Sequence, residues 1–387
     1  MAKSNVVTIL DIGSGKIVGI AAEAISGGNS FKINALSEIK YNGFFEGDFV
    51  DESNTRDAII KVLKQLENQT RERIKKIFIG VPGEFCVSAI RDAEITFNAP
   101  HKISVGDVNN LFNTADNFPT NPRYSEISKS STYFILDGSR RETDPLGITA
   151  SKLFGLVSFQ FADRRFQKFI DRILKSYNIR NIEYISSSLA QSFYLFDTKT
   201  RDNIAVLIDM GYVTTSVSVL LGDGLVYGKS ISLGSGFISD DLAQVLEIDY
   251  EYADVLRRKA DLTLDFESEA LYSVQGCDMQ INANRTNEII KARIEDIAEK
   301  ISVCLDESGF FSKNCTAFIT GGGLSYLRGG LSYLASCLEM PIKYVPVASS
   351  EFDRFDLTSA YGLAAVALME NNKKRGFFNK LLSGFGG

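Results

Sequence analysis

The sequence predicts an α/β protein of two lobes that share one internal plan. Three observations carry this expectation. A chain of 387 residues exceeds what one hydrophobic core usually spans. A buried strand, an Asp-x-Gly turn and two further strands occupy residues 6–40, and the same pattern recurs over 204–232. A third glycine loop, Thr320-Gly321-Gly322-Gly323-Leu324, again follows an apolar strand and precedes a helical pattern.

In the first lobe, residues 6–11 read as a buried strand ending in Asp11-Ile12-Gly13-Ser14-Gly15. Strands follow over 16–24 and 32–40. A helix is expected over 53–71, with Ser53 or Asn54 as its cap, and a strand over 76–81 stops at Pro82-Gly83. In the second lobe, a strand over 204–209 ends in Asp209-Met210-Gly211, and strands over 214–221 and 224–232 follow. Shorter helical patterns lie at 164–177, 186–196 and 357–369. A long one over 285–307 carries Ile289, Ile290, Ile294, Ile297 and Ile301 at helical spacing.

The composition, 44% hydrophobic and 23% charged, is ordinary for a soluble globular protein. A net charge of -6 and a pI near 5.2 show no large basic face, which argues against nucleic acid as a partner. The five cysteines are odd in number and form no C-x-x-C pair, so reduced thiols in a cytoplasmic protein are expected. His101 is the only histidine, which leaves little room for a His-ligated zinc site or a His-based triad; it is expected in an exposed polar loop. No secretory leader pattern is seen, and no stretch approaches the ~20 apolar residues that span a bilayer.

The glycine loops suggest the chemistry. Two Asp-x-Gly hairpin turns can clasp a polyphosphate from opposite sides, because glycine lets the backbone come close and turn N–H groups point at phosphate oxygens. The aspartates that end the strands, Asp11 and Asp209, suit Mg2+ held through water. A glycine-rich strand-to-helix loop offers a flat backbone surface for the rest of a nucleotide. One Asp-x-Gly is usually only a turn. Three such loops in this order are far more specific.

On these motifs the chain resembles the actin-like ATPase superfamily. Leu10-Asp11-Ile12-Gly13-Ser14-Gly15-Lys16 looks like its first phosphate loop, and Asp209-Met210-Gly211-Tyr212-Val213-Thr214-Thr215 like its second. Thr320-Gly321-Gly322-Gly323-Leu324 looks like its adenosine loop. The resemblance implies a two-lobe fold of duplicated ribonuclease H-like domains, with ATP and Mg2+ as cofactors. Asp11, Gly13, Ser14, Gly15, Lys16, Asp209, Gly211, Thr214 and Thr215 would then face phosphate. Gly321, Gly322, Gly323 and Leu324 would face adenosine. Ala253-Asp254-Val255-Leu256-Arg257 stands where the superfamily has Ala-Glu-x-x-Lys, and the resemblance implies a ribose contact for Asp254 and Arg257, with a solvated helix face as the equal alternative. The chain departs in two places. Tyr212 and Val213 replace two glycines, and the first interlobe helix lacks its acidic residue, with Gln191 and Ser192 nearby. Gln191 could orient a water, so at most slow hydrolysis is expected.

Within the superfamily, the chain resembles the FtsA family of bacterial cell-division proteins. Gly43-Phe44-Phe45-Glu46-Gly47 and Ile79-Gly80-Val81-Pro82-Gly83 carry part of the likeness. So do Ile103-Ser104-Val105-Gly106-Asp107, Tyr133-Phe134-Ile135-Leu136-Asp137-Gly138 and Asp144-Pro145-Leu146-Gly147, within a small α+β insertion over about 82–162. Leu233-Gly234-Ser235-Gly236-Phe237-Ile238-Ser239-Asp240 resembles a further family stretch, with Ser235 in place of a glycine, and should open a helix with Ser239 as cap. The resemblance divides the chain into a first lobe over 1–195, completed by 358–370, a second lobe over 196–357, and a tail over 371–387. It implies filaments of this protein on the cytoplasmic side of the cell membrane at the division septum. The C-terminal tail of FtsZ and other divisome proteins would be the partners. A pilus-assembly adaptor or a small-molecule kinase of the same superfamily is the alternative.

The tail can be read without a family. Residues 371–376 form a polar, basic linker. On a helix, Phe377, Phe378, Leu381, Leu382 and Phe385 fall within an arc of about 140°. Lys373, Lys374, Arg375 and Lys380 supply cations, and no acidic side chain opposes them. A helix of about nine residues, roughly 14 Å, is too short to span a bilayer; it can lie in an anionic membrane surface, the favoured reading, or dock on the protein's own core.

Overall fold

Buried aliphatic strands dictate the architecture. Ile9, Leu10, Ile12, Ile17 and Ile20 are all fully buried, which requires cover on both faces of their sheet. The computed structural model describes residues 6–25, 30–264, 267, 269–277, 279–310, 315–345 and 354–373. Its first sheet has five strands in the order Asn181–Ser186, Lys76–Val81, Val6–Ile12, Lys16–Ala24, Phe31–Lys40. The strand Val6–Ile12 runs antiparallel to Lys16–Ala24 and parallel to Lys76–Val81. On one face, Ile59, Val62, Leu63 and Leu66 of the helix Glu52–Thr70 pack with Phe166 and Ile170 of the helix Arg164–Ser176. On the other face lies the helix Thr358–Lys373, with Ala360, Leu363, Ala364 and Ala367 fully buried.

The second five-stranded sheet repeats this order and mix of directions. Its strands are Gly224–Ile231, Thr215–Leu221, Ala205–Met210, Ala317–Thr320 and Ile342–Tyr344. The five isoleucines at helical spacing are all buried, within the helix Ala283–Ser308. The recurrence read from residues 6–40 and 204–232 is thus a real structural duplication. The helices Ser187–Leu195 and Thr358–Lys373 cross in close contact at Gly362, where a Cβ would lie 2.5 Å from the Ala190 carbonyl oxygen.

The insertion forms an antiparallel four-stranded sheet in the order Cys86–Lys102, Thr149–Asp163, Tyr124–Leu136, Arg140–Glu142. The helix Val105–Ala115 covers it, opened by a capping box between Ser104 and Asp107. Leu111, Phe134, Leu153 and Phe159 make its separate core.

Several local expectations are corrected. The first helix is capped by Asp51, whose side chain accepts from the Asn54 amide at 2.9 Å, and not by Ser53 or Asn54. Asn54 instead accepts from the Asn42 amide. Ser239 lies inside the helix Gly236–Leu246 and is fully buried, so it caps nothing. The helix expected directly after the third glycine loop begins only at Gly330, after a turn closed by the Leu327 amide on the Leu324 carbonyl. His101 is exposed as expected but ends a long strand, 2.9 Å from an Asp107 carboxylate oxygen, and is not in a loop. The five cysteines form no disulfide.

Residues 371–373, expected in the linker, continue the helix Thr358–Lys373. The side chain of Lys373 and all of Lys374, Arg375, Phe377, Phe378, Lys380, Leu381, Leu382 and Phe385 lie outside the described residues. Among the described residues, no helix is long and apolar enough to cross a membrane.

Candidate functional site

The first strand of each five-stranded sheet ends at a shared cleft of about 800 Å3. The two turns there are built alike. The Gly13 amide donates to the Lys16 carbonyl at 3.0 Å, and the Gly211 amide to the Thr214 carbonyl at 2.8 Å. Each turn closes a tight antiparallel hairpin and leaves its aspartate at the cleft floor.

The two turns touch across the cleft. Ser14 Oγ accepts from the Val213 amide at 3.3 Å and lies 3.2 Å from Thr214 Oγ1. The ring of Tyr212 rests on the first turn, where a Cβ on Gly15 would lie 3.2 Å from Tyr212 Cδ1. Its hydroxyl bonds that of Tyr250. An aromatic wall therefore stands where the superfamily pattern has glycine.

The electrostatics centre on two carboxylates. Asp11 is buried, and its Oδ1 accepts from Ser187 Oγ at 3.3 Å and Ser359 Oγ at 3.1 Å. Burial, reinforced by the Asp209 charge, pushes its pKa up to about 6 against those hydrogen bonds and Lys16. Burial also raises the pKa of Asp209, opposed by a 2.8 Å bond from Gln191 Nε2. Among the described residues, neither carboxylate is in salt-bridge contact with a cation. Two desolvated, repelling oxygen ligands fit a hard divalent cation that keeps much of its water shell. No group of three or more His, Cys, Asp or Glu side chains that could cage a metal occurs among the described residues. The arrangement therefore suits an ion carried in with a phosphate ligand.

Most of the sequence-assigned residues line the cleft: Asp11, Gly13, Ser14, Gly15, Lys16, Asp209, Gly211, Thr214, Gly321, Gly322, Asp254 and Arg257. Thr215, Gly323 and Leu324 do not. Thr215 is buried and donates to the Leu233 carbonyl at 2.7 Å. Gly323 donates its amide to the Met210 carbonyl at 2.9 Å, behind the second turn, and Leu324 packs in the core of the second lobe. Arg257 reaches the cleft but is 2% exposed, so its guanidinium works inside the fold. It donates to Ser239 Oγ, to the Gly323 carbonyl and to Asp254, tying the helix Tyr250–Lys259 to the glycine loop.

Sequence reasoning missed Ser187, Ser359, Thr358, Glu38, Arg354 and Asp356. The serines hold Asp11. Thr358 Oγ1 accepts from Gln191 Nε2 at 3.0 Å. Glu38, Arg354 and Asp356 surround Lys16 at the cleft wall. None sits in a local motif, and only the meeting of distant elements brings them to the site.

No family model matches the chain. The cell division protein FtsA of Enterococcus faecalis is 25% identical over 358 residues, covering 89% of this chain and 80% of that protein. The structure of a PilM-PilN type IV pilus biogenesis complex aligns with a TM-score of 0.61 at 14% identity, over 94% of this chain and 98% of that one. MreB5 of Spiroplasma citri, solved bound to ADP, aligns with a TM-score of 0.55 at 10% identity, over 96% and 98%. The resemblance to FtsA thus runs through most of the chain, and the actin-like fold expected from the three glycine loops is the fold observed.

Proposed function

We infer that this chain, an FtsA-like member of the actin-like ATPase superfamily, is a nucleotide-binding cell-division protein that assembles on the inner face of the plasma membrane and anchors FtsZ at the division septum. The likeness to FtsA over 89% of the chain carries the reading. The cleft supplies its chemistry. Gly13, Ser14, Gly15, Lys16, Gly211 and Thr214 would face the phosphates of ATP, and Gly321, Gly322 and Asp254 its nucleoside. Asp11 and Asp209 would hold Mg2+ through water, and the ion would screen their mutual repulsion.

Turnover would be slow at most. Gln191 is buried, with its amide nitrogen committed to Asp209 and Thr358, and the carboxylate beside it, Asp209, would be occupied by the cation and so be a poor acceptor for a proton from an attacking water. A small-molecule kinase would need an unengaged carboxylate for its acceptor. Glu84, the acid of the neighbouring wall, is already bonded to the Gly47 amide and to Ser232 Oγ. The role is therefore scaffolding, with nucleotide setting the assembly state. Protomers would stack into filaments, and each amphipathic tail would add a weak membrane contact that many copies make firm. The tail of FtsZ and other divisome proteins would bind the assembled form.

Co-sedimentation with anionic liposomes tests this, comparing the full chain with one ending at Asn372. The full chain should pellet with lipid, more so with ATP and Mg2+, and the truncated chain should stay soluble. If both stay soluble, the anchoring role is wrong.

A further inference from the structure

Lys16 follows the first Asp-x-Gly turn and is the one cation of the first phosphate loop. It does not point freely into the cleft. Its Nζ lies 2.8 Å from Glu38 Oε2 and 2.5 Å from Asp356 Oδ2. The same two carboxylates are shared with Arg354. That guanidinium contacts both oxygens of Glu38, one of them at 2.9 Å, and both of Asp356, at 3.2 and 2.6 Å. Two cations and two anions thus form one neutral cluster. Glu38 lies on the outer strand of the first sheet, and Asp356 lies just before the helix Thr358–Lys373.

We propose that Arg354 is a positioning residue for the nucleotide site: it neutralises Glu38 and Asp356, so that Lys16 can leave them for the phosphates of a nucleoside polyphosphate. The proposal rests on the nucleotide-binding reading and adds an assigned role for a residue outside the motifs. Its logic is charge competition. A phosphate must draw Lys16 away from two carboxylates that are only a quarter exposed or less. With Arg354 in place, those carboxylates keep a forked, planar donor matched to both. Without it, Lys16 is their only cation in contact among the described residues, and leaving them strands two half-buried charges. Burial pushes both carboxyls up, yet the hydrogen bonds from Arg354 and Lys16 outweigh it and hold both below the usual carboxylate range. Both are therefore ionised at neutral pH and compete as full charges.

The two sides of the cluster should act in opposite directions. Removing the guanidinium traps Lys16, whereas removing a carboxylate frees it. A residue that merely braces the fold would not produce that reversal.

Calorimetric titration with ADP–Mg2+ and ATP–Mg2+ on the full chain tests this. Arg354→Gln should weaken both by about tenfold, the size of one charge-assisted contact. Asp356→Asn alone should bind at least as tightly as wild type, and Arg354→Gln with Asp356→Asn should recover to within about threefold of it. Arg354→Lys, which keeps the charge, should lose less than Arg354→Gln. Thermal melts confirm that each variant is folded, as expected for a side chain 43% exposed. If wild type binds and Arg354→Gln binds equally, or if the double variant stays as weak as the single one, the Arg354 role is wrong and the nucleotide reading stands. If wild type binds neither nucleotide, the reading fails and the role of Arg354 fails with it.

Discussion

Asp11→Asn should raise the melting temperature of the nucleotide-free protein near neutral pH and abolish its Mg2+-dependent nucleotide binding. The two effects share one cause. Burial lifts the folded-state pKa of Asp11 from 3.8 to about 6. A carboxyl with a raised folded pKa favours the folded state at low pH, and that contribution is lost as pH rises through about 6. At about pH 7.5 the charged form is therefore held at a cost, on the order of 3 kcal/mol for a shift of this size. Asparagine removes the charge and can still accept from Ser187 and Ser359. The same charge is what a divalent cation would seek, so binding should fall by at least about a hundredfold. In the wild type, Mg2+–nucleotide affinity should weaken below about pH 6, approaching tenfold per pH unit as Asp11 must shed a proton first. Melting curves and titrations at two pH values read both effects. A variant that melts lower and binds normally would show that Asp11 is a structural acid.

The legible part of this site is its local part. Asp11, Gly13, Asp209 and Gly211 sit in contiguous turns whose strand, aspartate and glycine pattern can be read in one pass. The repeat of that pattern discloses the duplicated sheets. The rest of the site is assembled over distance. Ser359 is 348 residues from the Asp11 it bonds, and Arg354 is 316 residues from Glu38. Their proximity follows from two helices crossing at Gly362 and from the return of the chain to the first sheet, which no periodicity encodes.

The local failures also have physical reasons. Asp51, Ser53 and Asn54 are all good capping residues, and the choice among them depends on where the chain leaves the short hairpin of Phe44–Phe45 and Asp48–Phe49 that precedes the helix. Ser239 looks like a cap by composition, but Arg257 takes its hydroxyl for the buried link to the glycine loop. Arg257 is the clearest case of a motif residue whose family role and structural role differ. Its position in the Ala-Glu-x-x-Lys slot suggests a ribose contact, whereas its burial makes it a brace for the loop that would carry the nucleoside.

The loop that Arg257 braces should not tolerate Gly321→Ala. Gly321 has φ +90, a conformation L side chains rarely adopt. A Cβ there would lie 2.3 Å from the Met210 carbonyl oxygen and 2.4 Å from Asp209 Oδ1. Both obstacles belong to the second Asp-x-Gly turn, so the methyl group cannot be absorbed by a swinging surface side chain. Either the glycine loop lifts, breaking the 2.9 Å bond from Gly323 to Met210, or Asp209 moves off Gln191. Strained backbone and overpacking together should cost about 2–5 kcal/mol, and nucleotide binding should fall more than about a hundredfold. Gly309→Ala is the control. Its φ is +66, but a Cβ there meets nothing within 4 Å among the described residues, so the backbone penalty alone is expected, roughly 1–2 kcal/mol, with binding intact. Melting and titration of the pair separate conformational strain from crowding between the loops. If Gly321→Ala behaves like Gly309→Ala, the glycine loop can yield without disturbing Asp209. The two loops would then be independent walls of the cleft, and a nucleotide could not couple them through that contact.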